Sequence, residues 1–260
     1  MRLARIEAGE GPVILLVPGF TGSKEDFRLL LDPLAAKGLR AVAYDQRGQY
    51  ESAGSDDPDV YAVASLAEDL LGLIDELGGV AHVVGHSFGG LVSREAAIRR
   101  PAAVRSLTLL SSGPAALSGP RVEALSLLRP LLDAGGIVAV ADALDAVAAA
   151  LPAYQQRPTD EAAFLRLRFL RNHPAALLAM ADALTSESDR VDQLTACGVP
   201  VQVVYGEADD AWPPAVQAAM AERLGARAVV IPGAAHSPAV ENPQAVVEAL
   251  LSFLAQVPAS

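Results

Sequence analysis

Cysteine is all but absent: Cys197 stands alone in 260 residues, so no internal disulfide can form, and with no His or Cys near it in sequence it reads as a small apolar core residue. Histidine is scarce as well. His82, His86, His173 and His236 show neither an i, i+4 pair nor zinc-site spacing, so no metal site is expected. Long apolar runs are missing too. Residues 135–151 are rich in Ala and Val, but Asp142 and Asp145 interrupt them and they fall short of the roughly 20 residues that cross a bilayer, which makes them a packed helix. Positive charge is in deficit: a formal net charge of −11 repels nucleic acid and anionic membrane surfaces and favours solubility. The opening Met1-Arg2-Leu3-Ala4-Arg5-Ile6-Glu7 lacks the apolar segment and cleavage site of a signal peptide, so a cytoplasmic location is expected. These absences point to a small-molecule substrate as the partner.

What is present is core material. A hydrophobic content of 52% suits one sizeable α/β domain, or such a domain with an inserted module. Residues 3–7 alternate weakly, Glu10-Gly11-Pro12 turns the chain, and residues 13–17 form a continuous apolar run of the kind buried on both faces of a parallel sheet. Residues 40–44, 81–84, 104–110, 201–205 and 228–231 repeat that pattern, with helical segments near 26–37, 65–77, 88–99, 214–224 and 243–255. The order predicts a doubly wound, mostly parallel β-sheet of about seven strands.

About ninety residues between the strands at 104–110 and 201–205 have helical periodicity and no convincing strand. They predict an inserted helical cap at 115–190, with residues 1–114 and 191–260 forming the core. Pro120 starts one cap helix that Pro130 ends or kinks, and Gly135-Gly136 and Pro152 bracket a second. Thr159 is the expected N-cap of a third, with Asp160 and Glu161 set against the helix dipole, and Pro174 opens a fourth. Arg121, Arg129, Arg157, Arg166, Arg168 and Arg171 could clamp an anion, yet they sit among Asp and Glu and read as a solvated helix face.

The chemistry concentrates at Val83-Val84-Gly85-His86-Ser87-Phe88-Gly89-Gly90, an apolar strand that stops at a serine with glycines two residues to either side. In this G-x-S-x-G pattern a sharp strand-to-helix turn lifts the hydroxyl clear of the sheet, and the helical pattern at 88–99, closed by Pro101, supplies the expected context. A serine hydroxyl needs a base, and the base needs a carboxylate to fix its tautomer. The turn Gly206-Glu207-Ala208-Asp209-Asp210-Ala211-Trp212-Pro213 follows one buried strand, and Gly233-Ala234-Ala235-His236 follows the next. His86 is nearer to Ser87 in sequence, but adjacent side chains diverge at such a turn, so it reads as a packing residue.

With these segments in this order, the chain resembles the α/β-hydrolase superfamily in its capped, single-domain branch. The likeness rests on Pro18-Gly19-Phe20-Thr21-Gly22, Asp45-Gln46-Arg47-Gly48, Gly85-His86-Ser87-Phe88-Gly89, Gly206-Glu207-Ala208-Asp209 with Pro213, and His236 ahead of Glu241-Asn242-Pro243. It implies Ser87 as nucleophile, His236 as base, and Asp209 rather than Asp210 as the acid, because Gly206, Asp209 and Pro213 match the family's G-x-x-D-x-x-x-P spacing. It also implies an oxyanion hole from the backbone N–H groups of Phe20 and Phe88. Asp45 and Arg47 read as framework residues.

Two departures stand out. The family's oxyanion loop commonly begins His-Gly where this chain has Pro18-Gly19, so a bracing histidine is absent, and Tyr50 occupies a position where the family has glycine. Because tyrosine resists positive φ, the loop is expected to take another path that puts Tyr50 at the pocket mouth. The resemblance implies two-step acyl transfer without a cofactor. Serine at 87 argues against the dehalogenase and epoxide hydrolase branches, which use an aspartate nucleophile. Phe20, Phe88, Tyr50, Trp212 and the cap residues Leu128, Leu165 and Phe169 are the candidate pocket wall, hence an ester, lactone or thioester of a small to medium hydrophobic acid. A carbon–carbon hydrolase, perhydrolase, acyltransferase or slow-turnover small-molecule receptor would share this constellation.

Overall fold

The computed structural model describes residues 2–150 and 158–258; Leu151, Pro152 and Arg157, singled out above, lie outside the described residues. Seven strands, β1 (Arg5–Ala8), β2 (Val13–Val17), β3 (Arg40–Tyr44), β4 (Ala81–His86), β5 (Val104–Leu110), β6 (Val201–Gly206) and β7 (Arg227–Ile231), form one sheet in the order β1-β3-β2-β4-β5-β6-β7. Only β1 runs antiparallel, pairing Arg5 with Tyr44 and Ala8 with Ala41.

The continuous apolar runs are explained by a core on each face. Alternate residues of β2 point opposite ways: Leu15 and Val17 join a cluster with Leu66, Leu70, Leu91 and Val92, while Ile14 and Leu16 join one with Leu30, Leu34, Val246 and Leu250. Helices α1 (Arg28–Ala35), α2 (Val63–Glu76) and α3 (Phe88–Arg99) supply those partners together with the last helix, Pro243–Leu254. A strand covered on both sides has no polar face to alternate, so its sequence reads as unbroken Val, Ile and Leu.

The chain leaves β2 toward β3 on one side and returns to β4 on the other, so the strand order reverses between β2 and β4. In sheets of this kind the crevice outside the carboxyl ends at the reversal is where ligands bind. The turn after β2 and Ser87 after β4 both lie there.

Between β5 and β6 come α4 (Pro120–Ser126), α5 (Leu128–Ala149), α6 (Thr159–Leu170), α7 (Pro174–Ser186) and α8 (Val191–Ala196). Both expected break points are seen: α4 opens at Pro120 and ends at Ser126, the residue whose carbonyl Pro130 has no N–H to bond, and the backbone leaves helical geometry again at Gly135 and Gly136 inside α5, with φ of 67° at Gly136. Thr159 is the first helical residue of α6 and Pro158 its N-cap, one residue earlier than expected. Leu128, Val140, Ala141, Phe169, Leu177 and Ala181 give the insertion its own small core. Among the described residues no helix is long and apolar enough to cross a membrane.

Candidate active site

Ser87 has φ 53° and ψ −119°, a backbone conformation that side-chain-bearing residues avoid and that costs on the order of 1–3 kcal/mol. The glycines make the turn possible. A Cβ on Gly85 would lie 2.5 Å from Gly89 O and from Ser93 Oγ, and one on Gly89 would lie 2.4 Å from Val17 O. The strained turn is fastened from β5: Ser87 N–H donates to Leu110 O at 2.9 Å and the Ser112 hydroxyl donates to Ser87 O at 2.8 Å.

Three candidates from three separate loops meet in one hydrogen-bonded row. His236 Nε2 lies 3.0 Å from Ser87 Oγ, and its Nδ1 lies 2.9 Å from Asp209 Oδ1. A carboxylate only accepts, so the proton sits on Nδ1 and Nε2 faces the serine as an acceptor. Asp209 Oδ1 also accepts the Ala211 N–H at 2.9 Å, and Oδ2 accepts from Gln217 Nε2 at 2.9 Å. Burial works against a charge at Asp209, yet His236, the Ala211 N–H and Gln217 outweigh it and hold the carboxyl below the usual carboxylate range. Asp210 points elsewhere: its side chain is 67% exposed and pairs with Arg121 at 2.6 Å.

The loop carrying His236 is held by Glu241 and His86, residues of the quoted motifs to which the sequence assigned no bond. The Glu241 carboxylate accepts the N–H groups of Ala235 (2.7 Å) and Ser237 (3.2 Å), and His86 Nε2–H donates to His236 O at 2.7 Å. His86 therefore diverges from Ser87 and packs, ring centroids 5.2 Å apart, on His236. Burial, reinforced by the charge that His236 can carry, pushes His86 down to about 4, and burial pushes His82, hydrogen-bonded to Ser106 at 2.8 Å, to about 4 as well.

Both histidines titrate at an ordinary 6.5 when unfolded, so between pH 6.5 and 4 the unfolded chain binds more protons and stability must fall as pH drops. The slope is about 1.4 kcal/mol per pH unit for each histidine well inside that window. Urea unfolding at pH 7, 6 and 5, above the range where carboxylates protonate, should show this decline, and a His82→Gln variant a shallower one. Equal stability at pH 7 and 5 would contradict the burial of neutral histidine.

The turn after β2 touches the serine: a Cβ on Gly19 would lie 3.0 Å from Ser87 Cβ. In place of the missing histidine, two glutamines brace it, Gln46 Nε2 donating to Pro18 O and Gln49 Nε2 to Gly19 O, both at 2.8 Å. Phe20 follows in this turn. Phe88 is the first residue of α3, so its N–H is one of the helix's orphan donors. Trp212 is buried beside His236, ring centroids 6.4 Å apart, with its indole N–H donating to Ala115 O at 3.1 Å.

Tyr50 corrects the sequence reading. It adopts φ 38° instead of avoiding positive φ, because the loop is tied on both sides: Gln49 N–H donates to Gln46 O at 2.9 Å, and Glu51 N–H donates to Asp45 Oδ2 at 3.2 Å. Its ring lies 4.7 Å from Lys24 Nζ, 5.3 Å from the Arg171 guanidinium and edge-on to Phe164 of α6 at 5.9 Å, at the junction of sheet loop and insertion. Asp45 accepts from buried Lys24 at 2.9 Å, and Arg47 forks onto Asp69, as framework residues do.

Leu128 and Phe169 are buried in the insertion's core, against which Phe20 also packs; Leu165 is half-buried. Each of Arg121, Arg129, Arg166, Arg168 and Arg171 pairs with a carboxylate, a neutralised surface rather than an anion clamp. Cys197 is half-buried at the end of α8, its thiol donating to Leu194 O, and so is less enclosed than a core residue. Among the described residues no group of three His, Cys, Asp or Glu could hold a metal ion.

A sequence model described as "Alpha/beta hydrolase family" matches residues 14–249. A Variovorax paradoxus protein provisionally named carbamate hydrolase RutD is 38% identical over 40% of this chain and 39% of its own length, and the bifunctional epoxide hydrolase 2 of Sus scrofa is 30% identical over 51% and 24%. The chain thus spans about two-fifths or less of those relatives. The pimeloyl-[acyl-carrier protein] methyl ester esterase of Aeromonas hydrophila is 28% identical over 95% of this chain and 96% of its own. Among solved structures, a thermophilic esterase from Thermogutta terrifontis superposes with a TM-score of 0.82 at 26% identity, covering 98% of this chain and 93% of that one. The enol-lactonase of Burkholderia xenovorans gives 0.82 at 25% identity, covering 98% and 96%.

Proposed function

This chain belongs to the alpha/beta hydrolase family, and on that premise we propose that it is a serine esterase that opens an ester, lactone or thioester of a small to medium hydrophobic acid by way of an acyl-enzyme. The observation that carries the reading is the row Ser87 Oγ, His236 Nε2, His236 Nδ1, Asp209 Oδ1, with spacings of 3.0 and 2.9 Å. His236 takes the proton of Ser87 as the hydroxyl attacks the carbonyl carbon, and Asp209 stabilises the imidazolium that forms. The Phe20 and Phe88 N–H groups receive the oxyanion, each such donor being worth about 3 kcal/mol in a pre-organised site. The alcohol or thiol leaves with the proton, water attacks the acyl group by the same route, and the acid departs. Proton and leaving group balance without a cofactor.

The names of two relatives, an ester hydrolase and an enol-lactonase, support acyl chemistry, and a serine at 87 supports it over the epoxide hydrolase relatives, since epoxide opening by this fold calls for a carboxylate nucleophile. The test is a panel of p-nitrophenyl esters, thioesters and lactones of graded acyl length. Turnover of many equivalents per enzyme, with a preferred acyl length, is expected. A single turnover with retained ligand would replace the esterase by a receptor.

The helical insertion serves in this reading as a cap that excludes water and forms the acyl wall. Support comes from Phe20, which packs against both the sheet's core and the insertion's core. Trimming the wall by Leu128→Ala, Leu165→Ala or Phe169→Ala is expected to shift the preferred acyl length in at least one variant while leaving the reactivity of Ser87 largely intact. An unchanged chain-length profile in all three would remove the cap from substrate selection.

A further inference from the structure

We infer that Gln217 is a positioning residue of the catalytic centre, acting through Asp209; the inference rests on the Ser87–His236–Asp209 reading above. Gln217 lies on α9 (Pro214–Leu224), eight residues after Asp209, and is wholly buried. Its Nε2 sits between two acceptors, 2.9 Å from Asp209 Oδ2 and 2.7 Å from Trp212 O. An NH₂ group has two hydrogens, and here one goes to each. The two acceptors fix the amide's orientation, since turning it over would aim a lone pair at a carboxylate and at a carbonyl.

Among the described residues the other end of the amide, Gln217 Oε1, has no hydrogen-bond partner and makes no competing claim on the side chain's orientation.

The consequence falls on the acid's geometry. Oδ1 is held by His236 and by the Ala211 N–H, and Oδ2 by Gln217. With both oxygens tied, the carboxylate cannot swing about its Cβ–Cγ bond, so Oδ1 stays aimed at His236 Nδ1. The bond to Trp212 O ties the same amide to the residue whose ring flanks His236. Losing the Gln217 donor frees the Oδ2 end, and the imidazolium that forms during acylation and deacylation is then less well held. The effect belongs to kcat and not to ground-state binding.

The test is a double-mutant cycle of wild type, Gln217→Leu, Asp209→Asn and the double variant, assayed on one p-nitrophenyl ester. Gln217→Leu, similar in volume, removes the donor, so it should lower kcat about tenfold with KM within twofold, while thermal stability falls somewhat because Asp209 Oδ2 and Trp212 O each lose a buried partner. In the Asp209→Asn background the same change should cause no further loss of kcat, because the group it acts through is already altered and the Gln217 amide no longer competes for the asparagine oxygen. Gln217→Met, close in shape, gives the same readout if the leucine variant folds poorly. Wild-type kcat in both variants while Asp209→Asn is inactive, or an equal loss in both backgrounds, would overturn the role of Gln217 alone. Wild-type kcat in Asp209→Asn would instead overturn the triad reading, and this role with it.

Discussion

Ser87→Ala should abolish hydrolysis, with a loss of kcat on the order of 10⁴-fold or more, while the protein still folds. The change removes one oxygen. Every contact that builds the strained turn is made by other atoms: Ser87 N–H to Leu110 O, the Ser112 hydroxyl to Ser87 O, and the glycine contacts at 85 and 89. Alanine meets the same backbone strain at φ 53° as serine does, so the turn gains and loses nothing locally. His236 keeps its bonds to Asp209 and, through its carbonyl, to His86. Circular dichroism and the thermal midpoint should match the wild type to within a few degrees, which makes the kinetic loss interpretable. More than a tenth of wild-type turnover in a folded Ser87→Ala protein would remove Ser87 from the chemistry.

Asp209→Asn is expected to cost about as much, and its neighbour almost nothing. The Asp209 carboxylate accepts three hydrogen bonds, from His236 Nδ1–H, Ala211 N–H and Gln217 Nε2–H. An asparagine offers one oxygen to these three donors. If that oxygen stays with His236 and Ala211, the new NH₂ faces the NH₂ of Gln217; if it turns to Gln217, an N–H faces His236 and drives the proton to Nε2. In that tautomer His236 cannot accept from Ser87. The expected fall in kcat is about 10⁴-fold. Asp210→Asn loses only an exposed pairing with Arg121, the kind of contact worth roughly 0–1 kcal/mol, so kcat should stay within twofold. The reverse ranking, measured with the same ester, would move the acid to position 210.

These two carboxylates also mark the limit of what the chain discloses before it folds. Residues 13–17 declare themselves as sheet because a strand buried on both faces is apolar throughout; 81–84 and 104–110 do so with His82, Ser106 and Thr108 among their apolar residues, hydrogen-bonded within the core, and the glycines at 85 and 89 declare the turn because nothing larger fits. Asp209 and Asp210 are chemically identical neighbours that only the spacing of a resembled family tells apart in the sequence, whereas in the fold they point in different directions, one to His236 and one to Arg121. Gln46, Gln49 and Gln217 each act through one amide whose partner is chosen by packing, and no spacing rule anticipates bonds to residues 18, 19 and 209. Tyr50 runs against its intrinsic preference, with φ 38°. Hydrogen bonds on either side of it, and the cations and Phe164 around its ring, outweigh the local cost of positive φ. In the insertion both breakers are legible, since Pro130 withholds a donor from Ser126, where α4 ends, and Gly136 turns the backbone to φ 67°.

The central claim, that Ser87 is the group that takes the acyl chain, is tested most directly by incubation with one equivalent of a fluorophosphonate followed by mass spectrometry of the digested protein. One adduct per chain is expected, located on the peptide containing Ser87, forming in step with the loss of esterase activity and absent from Ser87→Ala. Inactivation with the adduct on any other residue, or an active enzyme that the reagent leaves unlabelled, would contradict it.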